Sequence, residues 1–187
     1  MTRALILIDI QTGFDAPVWG ARNNPDAEAK AGLLLDAFRN RAAPVIHVRH
    51  ISTEPGSPLG PDTGGTDFKA NVTPQTGEAV FEKSVNSAFI GTGLEDHLRA
   101  IGADTLVICG LTTPHCVSTT TRMAANLGFT VLLAHDACAA FASNADPSWS
   151  PALPPPDPAS IHDAAISHLH GEFAQALSVQ DILGQPA

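Results

Sequence analysis

Four short runs of nearly uninterrupted apolar residues recur along the chain. They are RALILID (Arg3 to Asp9), PVIHVRH (Pro44 to His50), TLVICG (Thr105 to Gly110) and TVLLAHD (Thr130 to Asp136). A strand that is apolar on both faces needs cover on both, which is the situation of a parallel sheet between layers of helices. AVFEK (Ala79 to Lys83) reads as a shorter fifth strand, and SVQDIL near the end as a short edge strand. Helical stretches fill the gaps. Pro25 to Arg41 places Ala29, Leu33, Leu34, Ala37 and Phe38 on one face, and Gly93 to Ile101 groups Leu94, Leu98 and Ile101. Cys116 to Leu127 is a further helix, ended by Gly128 as a natural C′ residue. Ile161 to Leu177 reads as the last long helix. The alternation predicts an α/β fold: a doubly wound, mostly parallel six-stranded sheet with helices on both faces. Ligands of such sheets bind beyond the carboxyl ends of the strands.

Two stretches interrupt the pattern. STEPGSPLGPDTGG (Ser52 to Gly65) follows the second strand, and SNADPSWSPALPPPDPAS (Ser143 to Ser160) follows the strand at Thr130 to Asp136. Their Pro, Gly and Ser content excludes helix and central strand. Loops of this length in a small domain are functional or mobile. Neither reads as a linker, so residues 1–187 form one expected domain.

Charge excludes several partners. The net charge is −9 and the ten Lys and Arg are scattered, so nucleic acid and anionic membranes have nothing general to bind. No apolar stretch has the length to span a bilayer. ALILI near the start is too short for a signal peptide's apolar region and runs straight into Asp9. The three cysteines, Cys109, Cys116 and Cys138, form no CxxC pair, which argues for free thiols in a reducing, cytoplasmic setting and against a structural zinc site.

Chemistry-bearing residues fall at the strand ends: Asp9 after the first strand, Lys83 at the end of AVFEK, and Cys116 after the turn GLTTPH. Alone, each has a plain reading as a turn residue, a surface charge or a packed thiol. Cys109 and Cys138 fit the packed-thiol reading. Cys116 differs because it opens a helix, where the dipole and free N–H groups favour a thiolate. A nearby ammonium would add to that effect, and an aspartate beside the thiol would serve as general base. The backbone of GLTTPH would supply oxyanion donors.

ALILIDIQTGF, VRHIS, FEKSVNSAFIGTGLEDHL and LVICGLTTPHCVSTTTRMAANLGFTVLLAHDACAAF together resemble the isochorismatase-like cysteine hydrolases. That superfamily includes nicotinamidases, N-carbamoylsarcosine amidohydrolase, maleamate and biuret hydrolases and streptothricin hydrolase. The resemblance implies a Rossmann-like three-layer fold and a triad of Asp9, Lys83 and Cys116. It also implies a non-proline cis bond at Leu111–Thr112, with the N–H groups of Thr112 and Cys116 as the oxyanion hole. The expected pocket residues are Gln11, Phe14, Trp19, His50 and Phe89. The Asp-x-His pair of nicotinamidases is missing after the second strand, and neither His50 alone nor Asp62 and Asp67 make a metal set. No metal or cofactor is expected, and nicotinamide is a less favoured substrate. The implied activity is hydrolysis of a C–N bond in a small amide, ureide or lactam by a homo-oligomer, a dimer or a tetramer. Vinyl-ether cleavage with the aspartate as acid, or ligand binding without catalysis, are the other readings.

Overall fold

The computed structural model describes residues 2–150, 152–155 and 157–185. Leu5 to Ile8 in β1 (Thr2–Ile8) are at most 1% exposed, so both faces of this strand are covered. Beside it lie β2 (Val45–His50) and β4 (Ala103–Leu111), followed outward by β3 (Ala79–Lys83) on one side and β5 (Thr130–Ala139) and β6 (Gln175–Leu177) on the other. The order is β3-β2-β1-β4-β5-β6, and all five pairings are parallel. The order reverses between β1 and β4, which makes the crevice above their carboxyl ends the switch point where ligands of such sheets sit.

Right-handed crossovers put α1 (Ala27–Asn40) on one face and α2 (Leu94–Ala100), α3 (Ser118–Asn126) and α4 (Pro158–Ser167) on the other. The closing helix α5 (Val179–Gly184) packs against α1 and β5. The buried face of α1 includes Ala27, Ala31, Leu34, Leu35 and Phe38; Ala29 and Leu33, expected on it, are exposed.

The end of the chain departs from expectation. The Ile161 to Leu177 helix begins earlier, at Pro158, capped by the Asp157 carboxylate, and stops at Ser167. Gly171 then takes a φ of 86°, a turn conformation that suits glycine. Gln175–Leu177, not SVQDIL, is the edge strand. Ser178 and Asp181 form a reciprocal capping box, so the SVQD signal starts α5 and not a strand.

The loop from Ser52 to Gly65 folds back over the first strand's exit. Gly13 donates to the Gly65 carbonyl at 2.9 Å, and Ser52 donates to the Leu59 carbonyl at 2.9 Å. Leu59 is buried with Phe14, Leu111 and Phe141 in a small apolar cluster apart from the main core. In the second loop, Asn144 is buried whereas Trp149 is 79% exposed. No helix among the described residues is long and apolar enough to cross a membrane.

Candidate active site

Asp9 follows β1 with a φ of 51°, a left-handed backbone unusual for a residue with a Cβ. Its N–H donates to the Val48 carbonyl at 2.9 Å, which holds the chain in that turn. On the other side of the crevice, Gly110 has a φ of 129°, and a Cβ there would run into the Ile8 carbonyl. Glycine lets β4 close against the end of β1 and delivers the following turn beside Asp9. The Leu111–Thr112 bond is cis. The chain then makes one π-helical turn, Thr113–Val117, before α3 begins. Cys116 therefore sits within this turn and not at the first position of the α-helix. Thr113 Oγ1 lies 2.8 Å from His162 Nδ1, which ties the turn to α4.

The three predicted catalytic side chains meet. Lys83 Nζ lies 2.6 Å from Asp9 Oδ2 and 3.2 Å from Cys116 Sγ, and its side chain is fully buried, like that of Asp9. Lys83 Nζ also lies 3.0 Å from His50 Nδ1. The other carboxylate oxygen, Asp9 Oδ1, is buried and is given no hydrogen bond by the geometry of the described residues, with the Cys116 thiol as its polar neighbour. Asp9, His50 and Cys116 offer donor atoms within 4.8 Å of one another, a set whose chemistry suits zinc. The Lys83 ammonium, bonded to all three, occupies the place of a cation in that ring.

The electrostatics correct the sequence expectation of a ready thiolate. Burial, and next the Asp9 charge, push the Cys116 thiol up from 9.0 to about 12, with Lys83 opposing. Burial also raises the Asp9 carboxyl, against the attraction of Lys83. Burial thus disfavours the charged form of both acids, and the neighbouring Lys83 opposes it at both. Burial first and Lys83 second hold His50 down to about 4, so its ring is neutral at physiological pH. Cys109 and Cys138 are fully buried in strands, and burial raises both.

A cavity of about 160 Å³ opens over Cys116. Phe14 and Trp19 form one wall, with ring centroids 4.9 Å apart, and His50 also lines it. Gln11 and Phe89 are elsewhere. Gln11 is fully buried, its amide clamped onto the His50 backbone (2.7 and 2.9 Å), so it holds the wall from behind. Phe89 packs in the core near Phe129. Sequence reasoning missed Ser52, Ser57, Leu59, Asn86, His115 and Asn144, all at the cavity wall. Only His115 and Asn86 carried a signal, through proximity to Cys116 and to Lys83 in the chain.

A thiol, a carboxyl group and an amine thus cluster beneath a cavity at the switch point of a parallel sheet. The isochorismatase-domain family model matches residues 3–181, and the chain belongs to the isochorismatase family. It is 42% identical over 183 residues to the uncharacterized isochorismatase family protein YrdC of Bacillus subtilis, covering 97% of this chain and 94% of that one. Streptothricin hydrolase of Streptomyces noursei is 36% identical over 156 residues, 81% of this chain but 55% of its own. A crystal structure of an isochorismatase-family protein from Chromobacterium violaceum superposes with a TM-score of 0.90 at 43% identity, covering 97% of this chain and 92% of that one.

Proposed function

We propose that the protein is a cysteine hydrolase that cleaves the C–N bond of a small, uncharged amide, ureide or lactam. The observation that carries this reading is the contact of Lys83 with both Asp9 and Cys116, beneath a small cavity that Cys116 lines. As the substrate carbonyl approaches, the Asp9 carboxylate takes the Sγ proton and sulfur attacks carbon. Lys83 balances the anion throughout, wherever it resides. The N–H groups of Thr112 and Cys116 receive the oxyanion. Collapse breaks the C–N bond, and Asp9 returns its proton to the leaving nitrogen. Water, deprotonated by Asp9, then attacks the thioester. The thiol recovers its proton from Asp9, and the net reaction is amide plus water to acid plus amine.

Cavity size and lining set the substrate class. About 160 Å³ is half the lower end of the roughly 300–1,000 Å³ typical of drug-sized ligands. Among the described residues, none lining it is Asp, Glu, Lys or Arg. Burial lowers the His115 pKa, against a hydrogen bond that its ring donates to the Asn144 backbone carbonyl. A charged substrate group would lose its hydration there without a counter-ion. Free, buried thiols suit a reducing, cytoplasmic compartment.

An ammonia-release assay over small amides tests the reading, with Cys116→Ala as control. Loss of the nucleophile should reduce turnover by several orders of magnitude. The raised Asp9 acid favours a second reading, proton donation to a vinyl ether. That reaction would survive Cys116→Ala.

A further inference from the structure

His50 closes β2 and is the register partner of Lys83 at the end of β3. Partners in a parallel pair leave the sheet on the same face, about 4.8 Å apart. Lys83 has to cross over β2 to reach Asp9 beyond β1, and the His50 ring stands beside that crossing. The ammonium has three protons and no lone pair. It also has three neighbours, at 2.6 Å (Asp9), 3.0 Å (His50 Nδ1) and 3.2 Å (Cys116). Each proton has one acceptor.

The tautomer of His50 follows from this. An ammonium only donates, so Nδ1 presents its lone pair and the neutral ring carries its proton on Nε2. The Nε2 atom makes no hydrogen bond among the described residues, and the ring lines the cavity. The Gln11 amide fixes the His50 backbone on both its N–H and its carbonyl, so the ring starts from a held position.

We propose that His50 is a two-sided residue: its Nδ1 holds the third proton of Lys83, and its Nε2–H donates to a second acceptor atom on the substrate. The first role keeps the remaining two ammonium protons on Asp9 and Cys116. The second selects amides that carry another carbonyl oxygen or ring nitrogen besides the scissile carbonyl. The proposal rests on the reading of Cys116 as nucleophile only for its kinetic consequences.

Two kinds of measurement test it. Ring nitrogen-15 NMR of the wild-type protein at neutral pH, with His50 assigned by its loss in a variant, should show the Nε2–H tautomer. This needs no substrate and no turnover. An Nδ1–H tautomer overturns the proposal. Kinetics on an amide from the ammonia-release panel then separate the two sides. In His50→Asn the amide oxygen reaches the Nδ1 position, so kcat should stay within about threefold while KM rises about five- to tenfold, the loss of one neutral hydrogen bond. In His50→Gln the amide reaches the Nε2 position, so KM should hold while kcat falls about tenfold or more. His50→Leu should show both losses. Equal kinetics in all three variants, or an unchanged His50→Leu enzyme, would overturn the proposal. If Cys116→Ala retained turnover while NMR still showed Nε2–H, the nucleophile reading would fail and the assignment of His50 to Lys83 would stand.

Discussion

Cys116 is governed by its neighbours more than by its place on a helix. The sequence suggested a thiolate favoured by a helix N-terminus, an effect worth about 0.3–1 kcal/mol, or under one pH unit. Burial and Asp9 together move the thiol from 9.0 to about 12, so they win. This gives a counter-intuitive expectation for Asp9→Asn. Removing the carboxylate takes away the charge that raises the thiol and leaves Lys83, which lowers it. Iodoacetamide should therefore alkylate Cys116 faster at neutral pH in Asp9→Asn than in wild type, while turnover collapses for want of a base. Slower alkylation in this variant, read by peptide mass spectrometry, would show that Asp9 activates the resting thiol instead. The identities of Asp9, Lys83 and Cys116 were legible in the sequence because strand ends and motif order mark them. Their protonation was not, because burial belongs to the assembled crevice and not to any segment of chain.

Strands and helices carry a second polar cluster near the amino end of β3, away from the site. Glu78, just before β3, binds Arg39 of α1 at 2.7 Å and fully buried His47 of β2 at 2.8 Å. The Arg39 hydrogen bond above all holds its carboxyl down from 4.5 to about 2, against burial. A folded value below the ordinary one gives stability that is complete above pH 4.5 and is lost as pH falls toward 2. Glu78→Gln should cost on the order of 2 kcal/mol at neutral pH, a Tm drop of several degrees. Melts across pH should show the gap to wild type closing between about 4.5 and 2; a gap independent of pH would mean that the ionised carboxylate contributes nothing. Strands apolar on both faces announced themselves, since β1 and β4 need two covering layers and nothing else explains their composition. The last helix did not, because a short apolar run has the same look as helix or strand. Gly171 and the SVQD capping box settle the register there, and their force appears only once β6 has found β5.

The molecule as a whole is a parallel sheet whose loops roof one small crevice. The Ser52 to Gly65 loop supplies Ser52, Ser57 and Leu59 to the cavity, and the second loop supplies Asn144. These residues were not legible in the sequence because loop positions depend on long-range contacts such as that between Gly13 and Gly65. Their neutrality predicts specificity by charge. Paired amides of equal size, one bearing a carboxylate or ammonium, should differ in kcat/KM by ~100-fold or more in favour of the neutral one. Preference for a charged partner would mean that the cavity lining does not select the substrate. In the proposed reaction Cys116 is the nucleophile. Ammonia release from small uncharged amides, measured side by side for wild type and Cys116→Ala, tests it most directly. The wild type should release ammonia and the variant should lose several orders of magnitude in rate; comparable turnover by both proteins would mean that Cys116 is not the nucleophile.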